Sequence, residues 1–207
     1  MRLGVPALLG LLLCLGLLAP GHAAEPIEDY SSYQPAHKCH PAPKTGTAVL
    51  GRWVVRKFGG RPVGGARPCG RKQGVTSEHQ AGRAFDWSAD VRRAADRRRV
   101  KALLRALFEP DRRGNEDARA RRMGVMYVIW ADRIYPAWNG FRPEPYLNSA
   151  CEQRSKCSRT LRHRDHVHVS LDRDGARGRT SWYADRQAPH SARQPSTSEA
   201  GRADGPA

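Results

Sequence analysis

Two short alternating segments constrain the fold of this 207-residue chain most strongly: AFDW at residues 84–87 and HVHV at residues 166–169. Side chains at i and i+2 of a strand share a face, so both segments predict half-buried strands. His166 and His168 then project together, whereas Asp86 lies opposite to the aromatic side chains beside it. The chain is therefore expected to form a sheet with aspartate and histidine on one face.

The segments between these strands complete the fold class. Residues 88–108 place Val, Ala and Leu at helical intervals, and Glu109-Pro110 ends the helix. Residues 124–135 (GVMYVIWADRIY) predict a central strand that breaks near Ala131-Asp132. A short extended run is expected at residues 48–58. Together they predict an α+β domain built on a small antiparallel sheet with flanking helices.

The ends of the chain differ from this central part. Residues 1–24 combine Arg2, an apolar run and small residues at 21–24, the pattern of a removed signal peptide. An uncleaved membrane anchor is the alternative, although the apolar run is shorter than the ~18 residues that span a bilayer. We expect residues 25–47 to form an arm or linker, residues 48–183 the domain, and residues 184–207 a disordered tail.

Export would place the four cysteines after the signal segment, Cys39, Cys69, Cys151 and Cys157, in an oxidising compartment. An even number of cysteines in an oxidising compartment predicts two disulfides with three possible connectivities. Loop length favours the pairs Cys39–Cys69 and Cys151–Cys157. A zinc site made of all four thiolates is the competing interpretation, but the chain contains no CxxC pair.

The chain is strongly basic, with 36 Lys and Arg against 20 Asp and Glu and a formal net charge of +16. This charge predicts attraction to polyanions. Outside the cell the first polyanion is the wall, so we expect peptidoglycan or an anionic wall polymer as partner rather than nucleic acid. We also expect a secreted or wall-associated monomer without a stable membrane anchor.

The candidate metal-binding and catalytic residues lie in two segments, SEHQAGRAFD at residues 77–86 and LRHRDHVHVS at residues 161–170. His79 and Asp86 are separated by Gly82, which permits a bend. Imidazole nitrogens and carboxylate oxygens are good zinc ligands, so these two residues and one of the paired histidines form a candidate site. Three protein ligands with a fourth position open to water are typical of catalytic zinc, and the other paired histidine is a candidate general base.

SEHQAGRAFD resembles the SxHxxGxAxD signature of LAS-type zinc peptidases, a superfamily that includes D-alanyl-D-alanine carboxypeptidases, murein endopeptidases and the hedgehog domain. DHVHVS is similar to the His-x-His closing motif of the murein endopeptidase branch. The resemblance covers roughly residues 74–171 and extends to an uncharacterised group of secreted proteins. It implies that His79, Asp86 and His168 bind one zinc ion and that His166 is the catalytic partner.

Three differences from that family pattern bear on the chemistry. The carboxypeptidases close with Glu-x-x-His, in which Glu is the catalytic base. Residues 162–170 contain no Glu, so His166 is expected to act as the base instead. Many members carry an Arg before the first motif that binds the substrate or the transition state. In this chain Arg67 and Arg71 are the candidates for that function. His163 is a second candidate for the basic role.

The leading hypothesis is a secreted zinc metallopeptidase of the D,D-carboxypeptidase or murein endopeptidase type. A non-catalytic, zinc-stabilised wall-binding module is the main alternative. The His-hydrophobe-His pattern of metal-dependent nicking enzymes and a structural disulfide domain without metal are two further interpretations.

Overall fold

The computed structural model describes residues 27–69 and 77–187. Five α-helices lie in this part of the chain: α1 (Thr45–Phe58), α2 (Ala94–Phe108), α3 (Ala118–Arg122), α4 (Arg173–Arg177) and α5 (Ser181–Gln187). Six strands accompany them: β1 (Pro62–Gly64), β2 (Ala84–Ser88), β3 (Val125–Trp130), β4 (Arg133–Pro136), β5 (Glu144–Pro145) and β6 (His166–Leu171). No described helix combines the length and hydrophobicity that are needed to cross a bilayer.

The strands form one sheet in the order β1-β2-β6-β3-β4-β5, and all neighbours are antiparallel. β6, the last strand in sequence, lies between β2 and β3. Its register places His168 opposite Asp86 of β2 and Ile129 of β3. The predicted α+β class, the antiparallel sheet and the strands at 84–87 and 166–169 are confirmed.

The two faces of the sheet have different partners. One face carries Phe85, Trp87, Val167 and Val169, which belong to the main hydrophobic core with residues of α1 and α2. The other face carries Asp86, His168 and the side chains beside them. Strand alternation thus buries the apolar residues under the helices and leaves the polar residues together on the second face.

The extended run expected at residues 48–58 is wrong, because these residues belong to α1. Leu50 and Val54, one helical turn apart, are both 1% exposed and pack in the main core. Gly51 allows the close approach, since a Cβ there would lie 2.8 Å from the ring of Phe85. The β-branched residues of the segment suggested a strand, but the spacing of its buried residues is helical.

The boundaries of other elements are also shifted. The helix expected over residues 88–108 begins at Ala94, because Ser88 still belongs to β2. The expected break in residues 124–135 is confirmed as a turn between β3 and β4 at Ala131 and Asp132. Regular structure continues in α5 to Gln187, beyond residue 184, where the tail was expected to begin. The expected signal peptide at 1–24 and residues 188–207 lie outside the described residues.

Both expected disulfides, Cys39–Cys69 and Cys151–Cys157, are present. The first joins the arm before α1 to the segment after β1 and closes a loop with a sequence separation of 30 residues. Such a crosslink restricts the unfolded chain and stabilises the fold by about 3–4 kcal/mol in the chain-entropy model. It also fixes the arm beside the loop that precedes β2.

Candidate metal centre

Three side chains that can bind a metal ion meet at the middle of the sheet: His79 from the loop before β2, Asp86 from β2 and His168 from β6. Nε2 of His79 lies 3.1 Å from Nδ1 of His168 and 3.2 Å from Oδ2 of Asp86. Oδ1 of Asp86 lies 2.9 Å from the same Nδ1 of His168. The three residues are only 4–6% exposed. The structure therefore brings the sequence-predicted ligands together.

The loop that carries His79 turns sharply before β2. Gly82 has a φ of 67°, in the left-handed region that glycine occupies without strain. Its N–H donates to the carbonyl of His79 at 3.1 Å, and the N–H of Arg83 donates to the carbonyl of Glu78 at 2.8 Å. This turn directs His79 back towards Asp86, which confirms the bend expected at Gly82.

The proton on His79 is placed by a backbone carbonyl. Nδ1 of His79 lies 2.6 Å from the carbonyl oxygen of Gly65, which can only accept a hydrogen bond. Nδ1 therefore carries the hydrogen, and in the neutral ring Nε2 presents a lone pair. That lone pair faces Asp86 and His168.

A chain of buried hydrogen bonds places the proton on His168. The Tyr127 hydroxyl is hydrogen-bonded to Glu78 and to Ser170. A carboxylate can only accept, so Tyr127 donates to Glu78 and is left to accept from the Ser170 hydroxyl. The Ser170 oxygen is then left to accept from Nε2 of His168, which lies 2.8 Å away. Because Nε2 carries the hydrogen, Nδ1 of the neutral ring presents its lone pair to Asp86 and His79. Glu78, Tyr127 and Ser170 are all at most 8% exposed.

These hydrogen bonds test whether the site fits a metal ion. With both ring protons turned outward, two imidazole lone pairs and a carboxylate converge with no hydrogen between them, which is favourable only around a cation. Two ligand atoms of a tetrahedral ion with bonds of about 2.0–2.1 Å are about 3.3 Å apart, close to the observed separations of 2.9–3.2 Å. The donor set fits a divalent transition ion.

The electrostatics of the site also favour a cation. Burial opposes ionisation of Asp86, but hydrogen bonds from the His168 and His79 rings when these carry a proton outweigh this and hold its pKa well below the ordinary value. A metal ion would supply the same positive charge. Burial lowers the pKa of His168, which keeps the ring neutral. An ionised carboxylate and a neutral imidazole are the forms that bind metals.

His166 lies beside the cluster and has a carboxylate partner of its own. Its Nδ1 is 2.7 Å from Oδ1 of Asp165, and its Nε2 is 3.9 Å from Oδ1 of Asp86. The Thr160 hydroxyl donates to Oδ2 of Asp165 at 2.7 Å. Burial would raise the pKa of Asp165, but the hydrogen bonds from Thr160 and His166 outweigh this and lower it. His166 is thus held by an ionised carboxylate with Nε2 on the side of the metal ligands.

His163 differs from His166 in its surroundings. Its ring packs 4.7 Å from the ring of His166 and 5.2 Å from that of Tyr146, and its buried Nδ1 has no hydrogen-bond partner among the described residues. Burial, aided by the neighbouring His168 and His166, lowers the pKa of His163 to about 3. A group with this pKa is a poor proton acceptor near neutral pH, so the surroundings favour His166 for the basic role.

The loop before β6 is fixed by the turn between β3 and β4. Ala131 and Asp132 have φ values of 51° and 65°, as in a two-residue hairpin turn of type I′. Their N–H groups donate to the carbonyls of His163 and Arg162, at 2.8 and 3.1 Å. The Asp132 carboxylate also binds Arg162 at 2.7 Å and Arg164 at 2.6 Å. The turn therefore secures the segment that leads into His166.

The edge strand β1 lies directly against a ligand. Gly64 pairs with Asp86, and a Cβ at residue 64 would approach the Asp86 carboxylate and lie 2.9 Å from its Cβ. Glycine is therefore required for the edge strand to cover Asp86 while Gly65 presents its carbonyl to His79. No pattern in the sequence predicted this contact between β1 and Asp86.

The two arginines expected to contact substrate have different positions. Arg71 lies outside the described residues. The backbone N–H of Arg67 donates to the carbonyl of His79 at 3.1 Å, and its side chain is exposed. Arg67 is thus next to the loop that carries a metal ligand.

Sequence reasoning missed the residues that support the ligands. Ser170 follows His168 by two residues and shares its strand face, so the alternation could have identified it. Asp165 directly precedes His166 and could also have been found. Tyr127 gave no comparable signal, because it lies in the apolar segment 124–135 that predicts a central strand, and no pattern in the sequence connected Glu78 with it.

Comparison with known proteins assigns a family. Residues 39–153 match the family described as VldE, C-terminal domain, which is more than half of the chain. The chain belongs to this family. The match to the VldE C-terminal domain includes His79 and Asp86 and ends before β6, which carries His166 and His168. Neither the curated proteins nor the solved structures contain a match to this chain. Membership in this family does not itself specify an activity, because one fold can carry different sites.

Proposed function

We propose that the protein is a secreted, zinc-dependent metallopeptidase that hydrolyses amide bonds in the peptides of cell-wall peptidoglycan. One observation carries the proposal: the lone pairs of His79 and His168 converge with the Asp86 carboxylate, and the Asp165–His166 pair lies beside them. This combination supplies a place for a metal and a separate group for proton transfer, which metal-assisted hydrolysis requires.

His79, Asp86 and His168 are the zinc ligands in this proposal. Two imidazoles and one carboxylate leave one position of a four-coordinate ion open, as in hydrolytic zinc sites. A bound zinc ion supplies Lewis acidity, which activates water near neutral pH and polarises the carbonyl of the scissile amide. Glu78, Tyr127 and Ser170 hold the His168 ring so that Nδ1 faces the ion.

His166 is the proton carrier. Asp165 accepts from Nδ1, which leaves the lone pair of Nε2 on the side of the ligands. Nε2 then takes a proton from the attacking water, and the imidazolium, stabilised by Asp165, returns it to the leaving amine. The same residue thus serves as base and acid, and the missing glutamate of the carboxypeptidase pattern is replaced by an aspartate–histidine pair.

The substrate class follows from the chain outside the site. The signal-like residues 1–24 and the two disulfides favour an oxidising compartment, and the charge of +16 favours an anionic surface. Bacterial wall peptides present amide bonds at such a surface. Arg67, next to the His79 loop, and Arg71 are the candidates for binding a substrate carboxylate or the developing oxyanion.

Metal content and wall digestion test the proposal together. The purified protein should contain about one zinc ion per chain by plasma mass spectrometry. His168→Ala should lose both zinc and the release of peptide fragments from purified peptidoglycan, whereas His166→Ala should keep zinc and lose only hydrolysis. His37→Ala, an exposed histidine of the arm, is the control for metal content.

The outcomes separate the alternatives. Zinc in the wild-type protein together with saturable wall binding and no new fragments would overturn the peptidase and favour the non-catalytic wall-binding module. Full hydrolysis by both His168→Ala and His166→Ala would overturn the site assignment itself.

A further inference from the structure

A cavity separate from the metal centre lies at the end of the sheet where β2 begins and β6 ends. It has a volume of about 270 Å³ and lies between the arm before α1, the turn before β2, and α4. No Asp or Glu is among the described residues that line it. Five cationic side chains line it: Lys38, Lys44, Arg83, Arg173 and Arg177.

The cations in this cavity are only partly neutralised: Glu78 and Asp172 attract Arg83, but neither carboxylate lines the cavity. Burial lowers the pKa of Lys44, and the neighbouring charges of Arg177, Arg83 and Lys38 lower it further. The nearest acidic group to Arg177 is Asp174, at 3.7 Å, and both side chains are largely exposed, so that pair contributes little. The folded protein therefore holds like charges together at a cost that an anion would remove.

The cations cannot move apart freely, because the segments that carry them are fixed. The N–H groups of His40 and Lys44 donate to the carbonyls of Gln80 and Gly82, at 2.7 and 2.9 Å. The Cys39–Cys69 disulfide holds the arm next to Lys38.

Arg83 is held by its guanidinium and Arg173 by its backbone. The guanidinium of Arg83, only 3% exposed, donates to the carbonyls of Leu171 and Gln34. The N–H of Arg173 donates to the Gln34 side chain at 2.9 Å. Arg83 and the partly buried Lys44 thus form a fixed inner part of the cavity, and the exposed side chains of Lys38, Arg173 and Arg177 extend from anchored backbone around it.

We propose that this cavity binds a phosphate group of an anionic wall polymer. The choice of a wall polymer as the source of the phosphate rests on the proposed function. A tetrahedral phosphate offers acceptor oxygens in several directions, which suits lysine ammoniums and arginine guanidiniums arriving from three segments. The turn at residues 77–83 carries His79 towards the metal ligands and Ala81 and Arg83 towards the cavity. A polymer held here keeps the metal centre at the wall surface.

Titration of the disulfide-bonded protein with inorganic phosphate and with a glycerol-phosphate oligomer tests the cavity. Lys44→Gln/Arg177→Gln should weaken binding of both probes by about tenfold or more, since each loses charge-assisted hydrogen bonds. The matched control is Arg98→Gln/Lys101→Gln, which removes the same charge from exposed positions of α2. It should change the affinity by less than about twofold.

Each outcome bears on the proposal. An equal loss in the two double variants would show that net charge alone attracts phosphate, and no saturable binding by the wild-type protein would also overturn the proposal. If inorganic phosphate binds and the glycerol-phosphate oligomer binds no more tightly, the proposal that the phosphate group comes from a wall polymer is wrong. The metal-site variant His79→Ala/His168→Ala should bind phosphate normally, so failure of the proposed hydrolase can be distinguished from failure of the anion site.

Discussion

The Ser170 hydroxyl lies 2.8 Å from Nε2 of His168 and determines which nitrogen of that ring faces the metal ligands. The direction of this hydrogen bond is set by two buried residues: Tyr127, which is hydrogen-bonded to Ser170, and Glu78, which is hydrogen-bonded to Tyr127. The metal-binding ability of His168 therefore depends on residues that do not contact the ion.

Ser170→Ala should weaken zinc binding by about 10–100-fold, because the ring of His168 loses the partner that fixes its tautomer and orientation. Competition with a zinc chelator measures this directly. Tyr127→Phe, which removes the hydroxyl between Ser170 and Glu78, should change affinity in the same direction. Ser32→Ala, at an exposed serine of the arm, is the control; unchanged zinc affinity in Ser170→Ala would contradict the orienting role.

His166→Ala should reduce kcat for peptide hydrolysis by about 10²–10⁴-fold with zinc content unchanged, because a general base is lost but no ligand. Asp165→Asn should give a smaller loss of kcat, since His166 keeps its place but its imidazolium loses a charged partner. Steady-state kinetics on a defined muropeptide, with metal analysis of each variant, provide the measurement. Loss of zinc in His166→Ala would instead assign this residue to the ligand set.

Gly64→Ala should impair metal binding and destabilise the protein by about 1–3 kcal/mol, because the new methyl group meets the Asp86 carboxylate in a packed site. Gly65→Ala provides a matched control in the adjacent residue, where a Cβ has its nearest neighbour at 3.9 Å. Chelator competition and denaturant unfolding report the two effects. Similar behaviour of the two variants would show that Gly64 has no special relation to Asp86.

Asp132→Asn should lower the free energy of unfolding near neutral pH by about 1–3 kcal/mol, since the carboxylate binds two guanidiniums. The hydrogen bond from Arg162, followed by that from Arg164, lowers the pKa of Asp132 in the folded protein. Its contribution is therefore complete above the unfolded pKa of about 4 and is lost as the pH falls through the lower folded value.

The stability difference between the wild-type protein and Asp132→Asn should accordingly shrink on acidification below about pH 4. Denaturant unfolding curves at a series of pH values test this. A difference that stays constant into strong acid would show that the effect of the substitution does not come from the charge of Asp132.

The metal ligands could be predicted because their signals are local. His166 and His168 are two residues apart on a strand, and His79 and Asp86 lie in one short motif. The residues that orient His168 are split over three segments: Ser170 lies on the same strand, Glu78 is next to His79, and Tyr127 lies on β3. Their hydrogen bonds form only after β3 and β6 have paired. Single-sequence patterns contain no information on such pairings, so these hydrogen bonds required the structure.

The wrong prediction of an extended run at residues 48–58 has a related cause. Its valines and tryptophan favour a strand by composition, but α1 is stabilised by contacts that lie elsewhere in the chain. Gly46 packs against Gly175 and Gly178 of the α4 region, and a Cβ at residue 46 would lie 2.7 Å from the Gly178 nitrogen. Tertiary packing thus overrode the local β-propensity.

The position of β6 in the sheet has a consequence for a chain that emerges with its N-terminus first. β2 and β3 are not neighbours, and the gap between them is filled only by residues 166–171. Until those residues emerge, His79 and Asp86 lack their third ligand and the core face of the sheet lacks its central strand. The candidate metal centre can therefore form only when almost the entire domain has emerged.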